Sequence, residues 1–227
     1  LQCLLKIQMV ADTTATANIY RKSMTKLNSD FYKRDALIVA KELIGKYLVR
    51  EIDGHKLVGM ITETEAYKAM DKACHAYNYN LTKRTSTMFK AGGVAYIYFT
   101  YGMYHCFNVV TDVEGEPSAV LIRGIKPISD MEYMSKLRYN KPLNELSKYQ
   151  LKNFTNGPAK LCMAYNLTRE FDGENLTGNT LYITEGENID HINSSKRIGI
   201  DYAEEAKDYL WRFYVWTKLQ TIKNTKK

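Results

Sequence analysis

Two apolar-rich runs, residues 47–52 and 56–64, are joined through Asp53-Gly54, and that junction narrows the open folds more than any other stretch. Asp-Gly between such runs is a strong hairpin signal, because both central residues of a tight type I′ turn need positive φ. A turn this short joins antiparallel strands only, since parallel ones need a crossover of a dozen or more residues. A second such region follows: VAYIYFT (94–100) and MYHCFNVVT (103–111) flank Tyr101-Gly102, as two paired strands or as one long strand bent at Gly102. After a turn around 112–117, residues 119–125 form a third strong apolar run.

Helical patterns interrupt this series. Residues 35–44 place Leu37, Ala40, Leu43 and Ile44 on one face, with Asp35 to cap the start and Gly45 the end. Helices are also predicted near 129–138, after Ser129, then at 145–152, and at 158–165 opening with Pro158 behind Asn156-Gly157. Short strands are expected to return at 180–184, 197–200 and 211–216, whereas 68–90 lacks a clear period, carries Lys83-Arg84 and reads as a surface loop with a helical turn. Strands and helices without a regular βαβ rhythm predict an α+β fold, a single domain built on a mainly antiparallel curved sheet with surrounding helices. The 227 residues, 45% of them hydrophobic, suit one core. Residues 1–28 are expected to be a poorly ordered leader, 29–217 the domain and 218–227 a basic tail.

No run approaches the roughly 20 apolar residues that span a bilayer, so no membrane partner is expected. Cys3, Cys74, Cys106 and Cys162 lie far apart and read as free thiols of a reducing compartment. The adjacent pairs Cys74-His75 and His105-Cys106 lack the ligand spacing usual in zinc sites, and no metal is expected. The net charge of +7 suits an anionic partner such as nucleic acid, although the basic residues are scattered. The 18 tyrosines suit stacking on flat, wet ligands, and equally suit an ordinary polar-rimmed sheet.

Three groups of residues can carry chemistry. Glu63, Glu65 and Tyr67 share one face if their strand continues, with neighbours roughly 6–7 Å apart. Carboxylates ending a buried strand need partners; they serve as a general base for cleaving a glycosidic bond, or simply hold arginines. Arg123 interrupts the apolar run 119–122 and requires an acid, for which Glu65 is a candidate; catalytic and purely structural pairs look alike here. Tyr96 and Tyr98 share a face and Tyr101 sits at a bend, where tyrosines either wedge and stack among bases or pave a sheet.

The order and content of these segments resemble the alkyladenine (3-methyladenine) DNA glycosylase family. The matching stretches are ITETEAY (61–67) with His75 downstream, MFKAGGVAYIYFTYGMYHCFNVV (88–110), VLIRGI (120–125), NGPAKL (156–161), RIG (197–199) and RFYV (212–215). They run from about residue 30 to 216, nearly the whole chain outside its ends. The resemblance implies a base-excision repair enzyme without cofactor, acting as a monomer on double-stranded DNA containing damaged purines. Glu65 is implied to activate a water, Arg123 to position it, and the Ile198 carbonyl to be the water's third contact. Tyr67, His75 and Tyr98 match the walls around a flipped base, Tyr101 the wedge that enters the duplex, and Asn108 a pocket amide that rejects normal guanine. The implied substrates are 3-methyladenine and, with a broad pocket, hypoxanthine and ethenoadenine, hydrolysed without lyase activity. The loop KAMDKAC (68–74) is less acidic than the family pattern. A damage-binding module that does not cut, and an RNA-binding or tRNA-modifying protein, are the alternatives.

Overall fold

The computed structural model describes residues 25–100 and 102–215, so most of the expected leader and all of the expected tail lie outside the described residues. The Asp53-Gly54 hairpin is present: β1 (Tyr47–Ile52) pairs antiparallel with β2 (His55–Tyr67), and Asp53 and Gly54 both take positive φ, 49° and 77°. The second strong region resolves into two strands, β3 (Ala95–Thr100) and β4 (Tyr104–Val110), whose last pair is Thr100 opposite Tyr104. The third run is β5 (Ala119–Ser129), longer than expected. With β6 (Leu181–Thr184) these give the order β3-β4-β5-β2-β1-β6, antiparallel at every pairing.

β2 is the spine of the sheet. One edge pairs with β5 from Val58 to Tyr67; the other pairs with β1 up to Met60 and then, at Glu63–Glu65, with β8 (Arg212–Tyr214). Irregularities between Ile61, Glu63 and Thr64 fall where β1 leaves and β8 takes over. A short β7 (Asn193–Ser195) pairs with β8 outside the main path.

Helices α1 (Ser29–Tyr32), α2 (Ala36–Glu42), α3 (Met131–Tyr139), α4 (Lys148–Lys152) and α5 (Pro158–Ala164) accompany the sheet. In α2 the Asp35 carboxylate accepts from the Leu37 N–H at 2.8 Å, the cap read from the sequence. Its inward stripe is Ala36, Val39 and Ala40, continued by Leu43 and Ile44, while Leu37 is only partly buried. The main core lies between these helices and one sheet face, where Ile61, Ala66, Ile97, Phe107 and Ile122 meet α2 and α5.

Two expectations need correction. Residues 68–90 are a surface loop only over 77–84, which are exposed; on either side Ala69, Asp71, Ala73, Cys74, Ala76 and Met88 are buried. Cys74, Ala76 and Met88 pack with Tyr96, Val110 and Ala119 on the second sheet face. A segment held by short side chains and single turns shows no periodicity, which is why it reads as exposed. No strand forms at 197–200 either, because Arg197 binds inward to Asp71 and to the Ala66 and Ala206 carbonyls, drawing the chain into a loop that turns at Gly199. Within the stretch expected as a leader, Leu27 is buried and its N–H donates to the Ile183 carbonyl at 2.9 Å, adding to the β6 edge. Among the described residues no helix is long and apolar enough to cross a membrane.

Candidate active site

The strand does continue past Thr64, and the alternation of its side chains divides its end between two environments. Thr64 and Ala66 face the helices, the Thr64 hydroxyl donating to the Ala40 carbonyl at 2.8 Å. Glu63 and Glu65 both reach Arg123.

Glu65 is 0% exposed and lies within a fixed set of donors. Its Oε1 accepts from the Ile198 N–H at 2.8 Å; its Oε2 accepts from the Tyr67 hydroxyl at 2.8 Å and from Arg123 Nη1 at 3.2 Å. Arg123 Nε donates to Glu63 Oε1 at 3.0 Å, and the same oxygen accepts from Arg212 Nε at 2.7 Å. The result is an alternating row, Glu65–Arg123–Glu63–Arg212, in which two carboxylates and two guanidinium groups offset one another's desolvation. Burial pushes the Glu65 carboxyl above its ordinary range, while Arg123, the Ile198 N–H and the Tyr67 hydroxyl pull against that push. A carboxylate shifted upward is a stronger base than a solvated one.

Above this row lies a cavity of about 410 Å³, within the range of small-molecule sites, lined by Tyr67, His75, Tyr98, Asn108, Arg123 and Ile198 among others. Six of the residues singled out from the sequence thus line one cavity, with Glu65 directly behind three of them. The His75 ring meets Tyr98 edge to face, centroids 4.5 Å apart at 80°, leaving no gap for a third ring between them; the two form a single wall. Arg84 Nη2 lies 3.2 Å from His75 Nε2, which must accept, so His75 Nδ1–H donates to the Tyr96 hydroxyl at 3.0 Å. Burial, with Arg84 assisting, holds the imidazole down to about 4, so it is neutral near pH 7. Asn108 Nδ2 donates to the Tyr96 and Cys106 carbonyls at 3.0 and 3.3 Å. Both amide hydrogens are committed, and the group that can meet a ligand is the Oδ1 acceptor.

Two site residues stand apart from this picture. The sequence reading concerned the Ile198 carbonyl, whereas the group placed against Glu65 is the Ile198 N–H. Tyr101 lies outside the described residues; Phe99 and Met103 are exposed on either side of it. Sequence reasoning also missed the Arg212 anchor on Glu63, the Arg84 contact with His75, and the buried Arg197–Asp71 pair. The available signals were an arginine inside the short apolar strand RFYV and a lone aspartate in an alanine-rich loop. Among the described residues no group of three or more histidine, cysteine or acidic side chains is placed to hold a metal ion.

Comparison with known proteins shows the family. The family model described as Methylpurine-DNA glycosylase (MPG) matches residues 30–218. A protein of Clostridium acetobutylicum named "Putative 3-methyladenine DNA glycosylase" is 54% identical over 192 residues, covering 84% of this chain and 94% of that protein. Proteins of the same name from Clostridium novyi and Clostridium botulinum strain Hall are 52% and 51% identical over 193 residues, covering 96% and 95% of their own lengths. The chain belongs to the methylpurine-DNA glycosylase family.

Proposed function

We propose that this chain releases damaged purines, 3-methyladenine foremost, by flipping the nucleotide out of duplex DNA and hydrolysing its N-glycosidic bond with water. The observation that carries the reading is the Glu65 carboxylate, buried behind the cavity and aimed by three donors. A carboxylate offers about four lone-pair sites, and we assign the one these donors leave to the attacking water. Arg123 orients that water's environment by holding Glu65 from the β5 side, and the Ile198 carbonyl serves as its third contact. Oxocarbenium character develops at C1′ as the glycosidic bond breaks and its electron pair leaves with the purine; water forms the new C1′–O bond and gives its proton to Glu65. N3-methylated adenine is cationic before cleavage and leaves as the neutral base, so it needs no acid.

The base stacks against the aromatic side chains of Tyr67, His75 and Tyr98, each stacked base contributing roughly 1–3 kcal/mol. A poorly paired lesion costs less to extrude, which supplies one layer of selection. Tyr101 fills the vacated space in the duplex. Asn108, held by its two Nδ2 hydrogen bonds, occupies the space that the exocyclic amino group of guanine would need and excludes it sterically. Water is the nucleophile, without lyase chemistry; none of the described cavity-lining residues is a lysine.

The test uses duplexes carrying one hypoxanthine or one ethenoadenine, with released base identified by mass spectrometry. The reading expects free base and an intact strand that breaks only after alkali; strand scission without alkali contradicts the water mechanism. In the same assay Asn108→Ser should raise guanine release from undamaged duplex by about 10-fold, the worth of one steric contact in a pocket. An unchanged background removes Asn108 from its role.

A further inference from the structure

Arg197 and Asp71 form the most deeply buried ion pair among the described residues, both side chains being 0% exposed. Arg197 Nη2 donates to Asp71 Oδ1 at 2.8 Å and Nη1 donates to Asp71 Oδ2. The same guanidinium donates to the Ala66 carbonyl at 2.8 Å and the Ala206 carbonyl at 3.1 Å. It lies 4.6 Å from the ring centroid of Tyr67 and 5.1 Å from that of Trp211. A planar fork serving four acceptors between two rings is a site for arginine and for no other side chain.

These contacts converge on the candidate chemistry. Ala66 lies between Glu65 and Tyr67, and Ile198, which donates to Glu65, is the residue after Arg197. The guanidinium therefore grips the chain on both sides of the Glu65 carboxylate, while Asp71 begins the loop that carries His75. Its Oδ1 also accepts from the Ala73 N–H at 3.0 Å. Stability alone does not call for such a pair, since apolar side chains of similar volume often serve a core as well.

We propose that Arg197 is a positioning residue for base release, holding Glu65 through the Ile198 N–H and Tyr67 through its ring, with Asp71 fixing the guanidinium's orientation. The inference rests on the assignment of Glu65 as base and Tyr67 as stacking platform. The charged and titratable groups facing Glu65 are Glu63 and Tyr67 on β2, Cys106 on β4, Arg123 on β5, Arg212 on β8 acting through Glu63, and Arg197 itself. Loss of Arg197 removes its own charge and loosens the Ile198 N–H, both of which favour the ionised carboxylate, so Glu65 takes up its proton at higher pH.

The experiment is single-turnover release of 3-methyladenine by the full chain in saturating excess over a methylated duplex, followed across pH, for wild type, Arg197→Met, Arg197→Lys and Asp71→Asn. A purely structural role lowers yield and melting temperature but leaves this rate constant unchanged, because inactive molecules do not enter it. Positioning expects Arg197→Met to lower the constant by about 100-fold and to move the acid limb upward by about one pH unit. Arg197→Lys, which keeps the charge without the fork, should restore most of the limb while its rate constant stays at least about 10-fold low. Should the methionine variant fail to fold, Arg197→Lys and Asp71→Asn carry the test, each with a rate constant reduced by about 10-fold or more. Rate constants and acid limbs equal to wild type overturn this inference alone. No release by wild type overturns the functional reading and this inference with it.

Discussion

Glu65→Gln is expected to lower base release by about 1,000-fold or more, the combined scale of losing a general base and a preorganised charge, and to leave affinity for a lesion duplex within a few-fold. Glutamine keeps the volume of the side chain, so the strand end and the cavity wall persist. Its amide oxygen still accepts one of the bonds that Oε1 and Oε2 now receive from Ile198, Tyr67 and Arg123. The amide nitrogen, however, faces a donor whichever way the group is turned, and the negative charge proposed to act at C1′ is gone. Binding depends on the cavity walls and the duplex, which the substitution leaves alone. Release and binding therefore separate in this variant. Gel-shift affinity together with quantified free base measures both; a variant that releases base as fast as wild type removes Glu65 from catalysis.

Arg123→Ala has the second largest effect, because it acts on rate and stability together. Arg123 is the link between two carboxylates, its side chain only 13% exposed, and Glu65 has no other cationic side chain bonded to it among the described residues. Removing one partner of a buried pair costs roughly 3–5 kcal/mol; the cost should fall toward the lower end because Arg212 still holds Glu63. Base release should drop by about 100-fold or more, as for loss of one preorganised electrostatic contact. The pH dependence follows from the direction of the Glu65 shift. Burial already raises that carboxyl and Arg123 opposes the rise, so the variant raises it further. With the folded value above the unfolded one, stability is fully present below the unfolded value and is lost as pH rises through the folded value. The variant's deficit should thus be largest near neutral pH and shrink on acidification, and its activity should fall off at higher pH than wild type. Urea unfolding at pH 5 and pH 8 checks the first point. A deficit that grows on acidification contradicts the account.

How much of this was legible in the sequence depends on how local the signal is. The Asp53-Gly54 turn, the Asp35 cap and the Pro158 helix start are set by neighbouring residues, and all three stand where expected. The Glu65–Arg123 pair was also legible, since a charge inside an apolar run needs a partner. Arg212 and Arg197 were not, because their partners Glu63 and Asp71 lie far away in the chain and only the fold brings them together. The burial of 69–76 and of Met88 was hidden for a related reason: short side chains on single turns give no period, and the sheet face that covers Cys74, Ala76 and Met88 comes from other segments. The residues 197–200 read as a strand because Ile198 and Ile200 alternate, yet tertiary bonds of Arg197 override that local preference. Family resemblance carried expectations that no local pattern gives, such as that for Asn108, whose committed amide hydrogens are visible only in the fold.

The most direct measurement is base release from methylated duplex DNA by the purified chain, with free purines identified by mass spectrometry and Glu65→Gln alongside. The account predicts free 3-methyladenine from the wild type and none above background from the variant. Tight binding of lesion duplex without release of any base would contradict it, and would make the chain a damage-binding module instead of an enzyme.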